Sequence, residues 1–136
     1  MHFESIKISK QIEISLRWLV FLAQAQKKNK MAYVSLRFFC DKEKLSYYTL
    51  QKINQTLVNQ KIVESFRGKN GGYRLKKSPL KISLLEIIKA IEGPINFVDC
   101  SSLNCDVSHC QLKNIWGNFD KDLTKKLSRV KLAQFI

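Results

Sequence analysis

A short hairpin signal inside an otherwise helical pattern constrains the fold of this chain most. Residues 62–75 read IVESFRGKNGGYRL, in which two runs of β-type residues flank the turn sequence RGKNGG. Glycines between two such runs are typical of a tight β-hairpin. The tip of this hairpin would carry Arg67, Lys69, Asn70, Gly71 and Gly72. The sequence therefore predicts a mostly α-helical fold with one small β-hairpin that has a basic tip.

Two amphipathic segments begin the chain. Apolar residues at helical spacing predict a helix over about residues 10–27, with these positions buried: Ile12, Leu16, Leu19 and Ala23. A second segment, VSLRFFCDKEKL, predicts a short helix in which Ser35 is the cap and Leu36, Phe39 and Cys40 face inward. Cys40 is interpreted as a small buried core residue rather than a ligand.

A third segment, SYYTLQKINQTLVNQ, predicts a helix with two different sides. Ser46 can cap it, and Leu50, Ile53 and Leu57 form its buried side. The other side has no carboxylate and consists of polar or aromatic residues: Tyr47, Tyr48, Thr49, Gln51, Lys52 and Gln55. Two short helices joined by a turn near Lys44 match a helix-turn-helix whose second helix enters the major groove of DNA.

The hairpin directly follows this helix pair, which makes its basic tip a candidate wing. A wing contacts phosphates or an adjacent minor groove. An ordinary hairpin with a solvated charged tip would look similar. The outer side of the preceding helix carries no acidic residue, so we favour the DNA-binding interpretation. Ser46, at the start of that helix, is included in the predicted DNA-contacting surface.

The charge of the chain is unevenly distributed. The net charge is +13, and residues 1–80 hold 16 Lys or Arg against 5 Asp or Glu, whereas residues 81–136 hold 8 against 6. A concentrated basic excess favours a polyanionic partner, because neutralised phosphates release counterions. Solubility alone is the other interpretation of the same charge.

Three cysteines form a cluster in the segment DCSSLNCDVSHC. Cys100, Cys105 and Cys110 follow one another at two equal intervals of five. Three thiolates this close indicate a metal site. A zinc site would need a fourth ligand and favours CxxC pairs. An iron-sulfur cluster is also bound by thiolates. As a third possibility, two of the three cysteines could form a redox disulfide. The residues alone leave these three possibilities open.

The N-terminal sequence indicates the cellular compartment, and with it the redox state of the cysteines. The N-terminal residues MHFESIKISKQIEISL carry charges and contain no export signal, so reduced thiols in the cytoplasm are expected. The apolar run LRWLVFLAQA is far shorter than the roughly 20 residues of a membrane span. We therefore predict a cytoplasmic protein with no membrane partner.

The region behind the cysteines predicts a long helix with one apolar stripe. The stripe has spacings of three and four residues and consists of Leu112, Ile115, Phe119, Leu123, Leu127 and Val130. Such a stripe needs a partner, which could be a different protein, but a homodimer is simpler because DNA with two half-sites requires a twofold protein. Between the hairpin and the cysteines, Ser83 and Glu86 predict a capping box for the helix SLLEIIKAIEG.

The chain resembles the IscR/NsrR family of bacterial winged-helix regulators over nearly its whole length. The resemblance rests on VSL at 34–36, LSYYTLQKI at 45–53, IVESFRGKNGGYRL at 62–75, ISLLEIIKAIEGP at 82–94 and the cysteine cluster. It implies a homodimeric transcription factor, usually a repressor, that binds a partly palindromic double-stranded DNA operator. It also implies a winged helix-turn-helix domain over residues 1–80, a linker helix and cluster loop over 81–111, and a dimerisation helix over 112–136.

The resemblance also implies roles for single residues in DNA binding. The base-contacting positions of the recognition helix fall at Tyr48, Gln51 and Lys52, and the wing arginine that enters a groove falls at Arg67. Gln51 stands where some members have a glutamate that tunes operator choice. Because glutamine can bond adenine whereas glutamate accepts from cytosine, the operator sequence stays open.

Members with three clustered cysteines typically bind an iron-sulfur cluster and sense nitric oxide, iron-sulfur or iron status, or redox state. The IscR type adds a histidine three residues after the third cysteine, where this chain has Lys113. The NsrR type recruits a carboxylate from the first helix of the partner subunit, and the matching position here is Glu13. We therefore expect Cys100, Cys105, Cys110 and Glu13 to hold the cluster, with His109 as the alternative ligand; a two-iron and a four-iron cluster are both compatible.

This interpretation has two alternatives from other function classes. A cluster-free regulator of the same family would respond to thiol oxidation, a small molecule or a protein partner. An enzyme is not expected, because the sequence contains no Ser/His/Asp set, phosphate loop or paired carboxylates, and its two histidines, His2 and His109, supply little acid-base chemistry.

Overall fold

The computed structural model describes residues 8–94 and 111–136 of the chain. These residues form five α-helices and one antiparallel hairpin, which confirms the predicted fold class. The helices are α1 (Lys10–Lys28), α2 (Leu36–Glu43), α3 (Tyr47–Asn59), α4 (Leu84–Glu92) and α5 (Gln111–Arg129); the strands are β1 (Val63–Phe66) and β2 (Gly72–Leu75); short 3₁₀ turns span Pro79–Lys81 and Leu132–Phe135. None of the described helices is long and apolar enough to cross a membrane.

Serine side chains fix where four of the helices begin. Ser35 accepts a hydrogen bond from the backbone N–H of Phe38 at 3.3 Å, and Ser46 accepts one from Thr49 at 3.4 Å. Both caps are confirmed, and Ser9 caps α1 in the same way. Each such cap contributes roughly 1 kcal/mol.

The predicted capping box at the start of α4 forms only in part. Ser83 accepts a hydrogen bond from the backbone N–H of Glu86 at 3.1 Å. The carboxylate of Glu86 is instead paired with the ammonium of Lys77. A charged partner competes successfully for a carboxylate that would otherwise accept from a neutral backbone N–H.

The hydrophobic core lies between α1, α2, α3 and the base of the hairpin. Trp18 is fully buried, and its ring centroid lies 5.0 Å from that of Phe39. The predicted inward positions are buried with one exception: Leu16 is only half-buried, because it packs at the edge of the core. Fully burying one such large side chain contributes about 1.5–3 kcal/mol, so this core accounts for most of the stability of the unit.

The hairpin is anchored to the segment between α1 and α2. Val63 pairs with Leu75 at its base and Phe66 pairs with Gly72 near its tip. Val34 and Tyr73 exchange two backbone hydrogen bonds of 2.8 Å each, which adds a one-residue bridge beside β2. The hairpin therefore has a defined direction relative to α2 and α3.

The chain returns to this core after α5. Leu132 is fully buried, and its backbone N–H donates to the carbonyl of Ile82 at 2.8 Å. The N–H of Leu84 donates to the carbonyl of Val130 at 2.8 Å. Residues 130–136, called the closing segment below, thus connect the end of α5 to the winged-helix core.

Candidate nucleic-acid interface

The turn between α2 and α3 is short and tightly bonded. Lys44 adopts a left-handed conformation with φ of 56°, and the N–H of Leu45 donates to the carbonyl of Cys40 at 2.9 Å. Ser46 then starts α3 as its cap. This arrangement of two short helices confirms the predicted helix-turn-helix geometry.

The inner side of α3 contains a polar contact that sequence patterns did not predict. The indole Nε1–H of Trp18 donates to Oδ1 of Asn54 at 2.9 Å, and both residues are buried. A buried amide has to be hydrogen-bonded, so this pair favours one register of α3 on α1. An asparagine in an otherwise apolar inner stripe was the only available signal for it.

The outer side of α3 presents the predicted mixture of aromatic and polar groups. Tyr48 is 65% exposed, and the Lys52 ammonium lies 4.4 Å from the centroid of its ring. Gln55 donates to Asn59 at 3.1 Å. Thr49 is half-buried, whereas Gln51 is exposed. Together these residues form a surface that can donate and accept hydrogen bonds and stack.

The tip of the hairpin is held in shape by its glycines. A side chain at Gly72 would bring its Cβ to 2.5 Å from the carbonyl oxygen of Val34, and one at Gly71 would reach 2.2 Å from that of Phe66. Neither contact is sterically possible, so both positions require glycine for close packing. Lys69 and Asn70 are exposed at the tip.

A cleft of about 700 Å³ lies between α3 and the hairpin. Arg37 and Arg67 line it from opposite elements, and Tyr47 and Gln55 line it from α3. The guanidinium carbon of Arg37 lies 4.6 Å from the centroid of the Tyr47 ring. The described residues that line this cleft include no carboxylate, so its electrostatic character favours an anion such as a DNA phosphate. Sequence periodicity missed Arg37, because it lies on the helix before the recognition helix.

The predicted metal ligands are divided between described and undescribed parts of the chain. Cys100, Cys105, Cys110 and the alternative ligand His109 lie outside the described residues. Glu13 lies on the exposed side of α1, where its carboxylate accepts a hydrogen bond of 2.8 Å from Arg17. Among residues 8–94 and 111–136, no group of three or more histidine, cysteine or acidic residues could hold a metal ion.

Cys40 differs from the cluster cysteines in its surroundings. Its side chain is buried in the core, and burial raises the pKa of its thiol, with a smaller contribution from the neighbouring Asp41. A neutral, buried thiol is a poor ligand and a poor nucleophile. Its predicted role as a core residue is confirmed.

Comparison with known proteins agrees with this geometry. Residues 8–136 match the Rrf2 family, described as an iron-dependent transcriptional regulator. The chain belongs to the Rrf2 family. It is 36% identical to the HTH-type transcriptional regulator NsrR of Bacillus licheniformis over 112 residues, which cover 82% of this chain and 75% of that protein.

Solved structures of Rrf2 regulators share the fold. CymR, described as the global cysteine regulator of B. subtilis, superposes with a TM-score of 0.77 at 27% identity, covering 96% of both chains. IscR of T. potens superposes with a TM-score of 0.77 over 96% of this chain and 86% of its own, and at 24% identity it supports the fold alone. The relatives are transcriptional regulators and not enzymes, which confirms the resemblance and the expectation that this chain is not an enzyme.

Proposed function

We propose that this Rrf2 regulator acts in the cytoplasm as a homodimeric repressor that binds a partly palindromic operator. In this proposal α3 reads bases in the major groove through Tyr48, Gln51 and Lys52, and Arg67 enters the neighbouring groove. The other predicted contacts surround these four: Ser46, Tyr47, Thr49, Gln55, Lys69, Asn70, Gly71 and Gly72.

The cleft between α3 and the hairpin is the observation that carries the DNA-binding proposal. Arginines from two elements converge on it without an acidic neighbour among its described lining residues. Its aromatic and amide side chains supply directional contacts beside the two charges. An arginine bonded to a base edge contributes about 1–3 kcal/mol to discrimination, whereas a phosphate contact contributes affinity without sequence preference.

Replacing Arg67 tests the wing assignment. A preferred duplex is first selected from a random library with the wild-type protein, and affinities are then measured by fluorescence anisotropy. We expect Arg67→Ala to raise the Kd for that duplex about 10- to 100-fold. Arg129→Ala, which removes an exposed arginine at the end of α5, is the matched control and should leave the Kd nearly unchanged. A Kd for Arg67→Ala equal to that of the wild type would contradict the wing assignment.

The exposure of apolar side chains on α5 supports the homodimer. Residues 8–94 and 111–136 bury no residue of this helix, and Leu112, Ile115 and Phe119 are each at least half exposed. An apolar helix face of this size is typical of an interaction surface. A second copy of the same chain would supply the matching face. The resulting dimer would place two winged helix-turn-helix units on two half-sites.

The regulatory signal in this proposal acts through an iron-sulfur cluster. Cys100, Cys105, Cys110 and the partner subunit's Glu13 would hold it, and the cluster would supply a group that reacts with nitric oxide or oxidants. Three thiolates and one carboxylate are a suitable donor set, and the exposed Glu13 side chain can leave its ion pair with Arg17 at small cost. The family's description as an iron-dependent regulator supports the part of the proposal that involves iron.

An anaerobic absorption spectrum with iron and sulfide content tests the cluster. We expect visible absorption that changes on addition of nitric oxide. Protein purified without air that contained no iron, no sulfide and no visible absorption would contradict the proposal.

The fourth ligand has its own test. Glu13→Ala should make the cluster measurably less stable toward chelator, whereas Arg17→Ala, which removes the same ion pair but keeps the carboxylate, should not. Equal cluster lifetimes in the wild type and Glu13→Ala would exclude Glu13 as a ligand and leave His109 as the next candidate.

A cluster-free regulator is the second candidate. The structural similarity to CymR favours it, because the description of that protein as a global cysteine regulator names no iron. Replacing Cys100, Cys105 and Cys110 by serine distinguishes the two. Operator binding and signal response unaffected by that change would favour the cluster-free alternative.

A further inference from the structure

A second cavity lies at the opposite end of the hairpin from its tip. It has a volume of about 760 Å³ and is bounded by the end of α1, the base of the hairpin, the 3₁₀ turn Pro79–Lys81 and the closing segment. Its apolar lining comes from all four of these elements and includes Ala23, Leu75, Leu80, Ala133 and Ile136. A volume of this size is within the range of small-molecule sites.

The charged lining of this cavity is strongly basic. Five Lys or Arg side chains and one acidic side chain, that of Glu64, contribute to it. The Nε of Arg74 forms an ion pair with a carboxylate oxygen of Glu64 at 2.6 Å. The ammonium of Lys77 forms another with Glu86, which does not line the cavity. Lys27, Lys30 and Lys76 form no ion pair with any other described residue.

Apolar walls and unpaired ammonium groups at one site favour one class of ligand. A neutral apolar molecule would leave the lysines unused, and a cation would be repelled by them. A small inorganic anion would leave the apolar walls exposed to water. An organic anion with an apolar body and one acidic group satisfies both requirements, because its chain contacts the walls and its charge interacts with the lysines.

The cavity is separate from the proposed DNA surface. None of its lining residues also lines the cleft between α3 and the hairpin. Gln26, near the end of α1, joins this helix to β2 at the cavity, where its side-chain oxygen accepts a hydrogen bond of 3.0 Å from the backbone N–H of Leu75. The base of the hairpin is therefore held in place without a ligand, and the cavity is formed in advance.

We propose that this cavity is a binding site for a small amphipathic carboxylate. Lys27, Lys30 and Lys76 bind its carboxylate group, and the walls formed by Leu75, Leu80 and the closing segment cover its hydrocarbon part. Such a ligand contacts the base of the hairpin and the closing segment together. The site does not depend on the iron-sulfur cluster or on the operator.

Octanoate, octylammonium and 1-octanol form a matched set of probes, because they share a chain and differ in charge. Each is titrated into the full chain, without DNA, while amide chemical shifts are recorded by NMR. We expect octanoate to bind about tenfold more tightly than octylammonium, with shifts confined to residues 23–30, 74–80 and 133–136. Added salt should weaken octanoate binding, because the lysines are exposed.

A variant carrying Lys27→Gln, Lys30→Gln and Lys76→Gln should lose most of the preference for octanoate over 1-octanol. The matched control carries Lys28→Gln, Lys81→Gln and Lys89→Gln, three exposed lysines that do not line the cavity, and should bind octanoate like the wild type. Equal binding of octanoate and octylammonium would overturn the proposal. Shifts centred on α3, the hairpin tip or α5, or an unaffected preference in the first variant, would overturn it as well.

Discussion

Two parts of this protein differ in how far their large apolar side chains are buried. In the winged-helix head, residues 8–84, the large side chains of the core are almost completely buried; Trp18, Leu50 and Ile62 are examples at 0% exposure. In α5, at the other end of the described chain, no residue is buried and Ile115 and Phe119 are 50% and 53% exposed. The amphipathic patterns of the two regions look alike in the sequence.

This difference in burial indicates which part of the protein is fully packed within a single chain. The head buries its apolar stripes against one another, and the charged residues of this part of the chain are mainly basic. The apolar stripe of α5 has no such cover from the described residues, apart from its contact with α4. We infer that the head, together with α4 and the closing segment, is stable within one chain, whereas α5 gains its stability from a second subunit.

Charged substitutions in the stripe of α5 should break the proposed dimer. Ile115→Asp combined with Phe119→Asp places four carboxylates in a symmetric interface that otherwise buries four large apolar side chains. Because each burial contributes about 1.5–3 kcal/mol, we expect the dimer dissociation constant to rise at least about 10³-fold. Sedimentation equilibrium measures this constant directly.

The opposite side of the same helix supplies the control. Asn114→Asp with Lys121→Asp introduces the same number of carboxylates at exposed positions away from the stripe, and it lowers the net charge by three rather than two per chain, so it is the stricter test of a charge effect. This control should sediment as the wild type does. If both variants weakened association equally, net charge would be the cause and the stripe would not be the interface.

Shortening Leu132 should affect the head, although this residue follows α5 in the chain. It is fully buried, so Leu132→Ala should lower the free energy of unfolding by about 2–5 kcal/mol. Phe135→Ala, at a position that is 45% exposed in the same segment, should cost much less. Urea unfolding followed by tryptophan fluorescence measures both. Equal losses would mean that the closing segment does not belong to the head core.

The buried pair between Trp18 and Asn54 should have a smaller effect. Asn54→Ala leaves the indole N–H of Trp18 buried without an acceptor, which costs about 1–3 kcal/mol. Asn59→Ala removes an exposed amide bonded to Gln55 and should change the free energy of unfolding by less than about 0.5 kcal/mol. The same urea experiment compares them. A loss for Asn54→Ala no larger than for Asn59→Ala would show that the pair does not stabilise the head.

Sequence patterns predicted local features well and long-range pairings poorly. Caps at Ser35 and Ser46 and the inner side of α3 depend on neighbouring residues only, so periodicity and residue type were sufficient. The bonds of Val34 with Tyr73, and of Leu132 with Ile82, join residues far apart in the chain and have no local signature. Arg37 was missed for the same reason, since its place in the cleft depends on how α2 packs beside α3 and the hairpin.

The cysteine in the head should also behave differently from an exposed thiol, which gives the smallest of the expected effects. Burial raises the pKa of the Cys40 thiol, so less thiolate is present at a given pH, and alkylating reagents also lack access to it. In a variant with Cys100, Cys105 and Cys110 replaced by serine, we expect iodoacetamide to modify Cys40 at least about tenfold more slowly than a cysteine introduced by Ser65→Cys at an exposed position of β1. The rate at Cys40 should rise to that of the exposed thiol when urea unfolds the chain. Equally fast modification of both thiols in the folded protein would mean that the core opens readily around α2, and the head would then be less self-contained than its burial indicates.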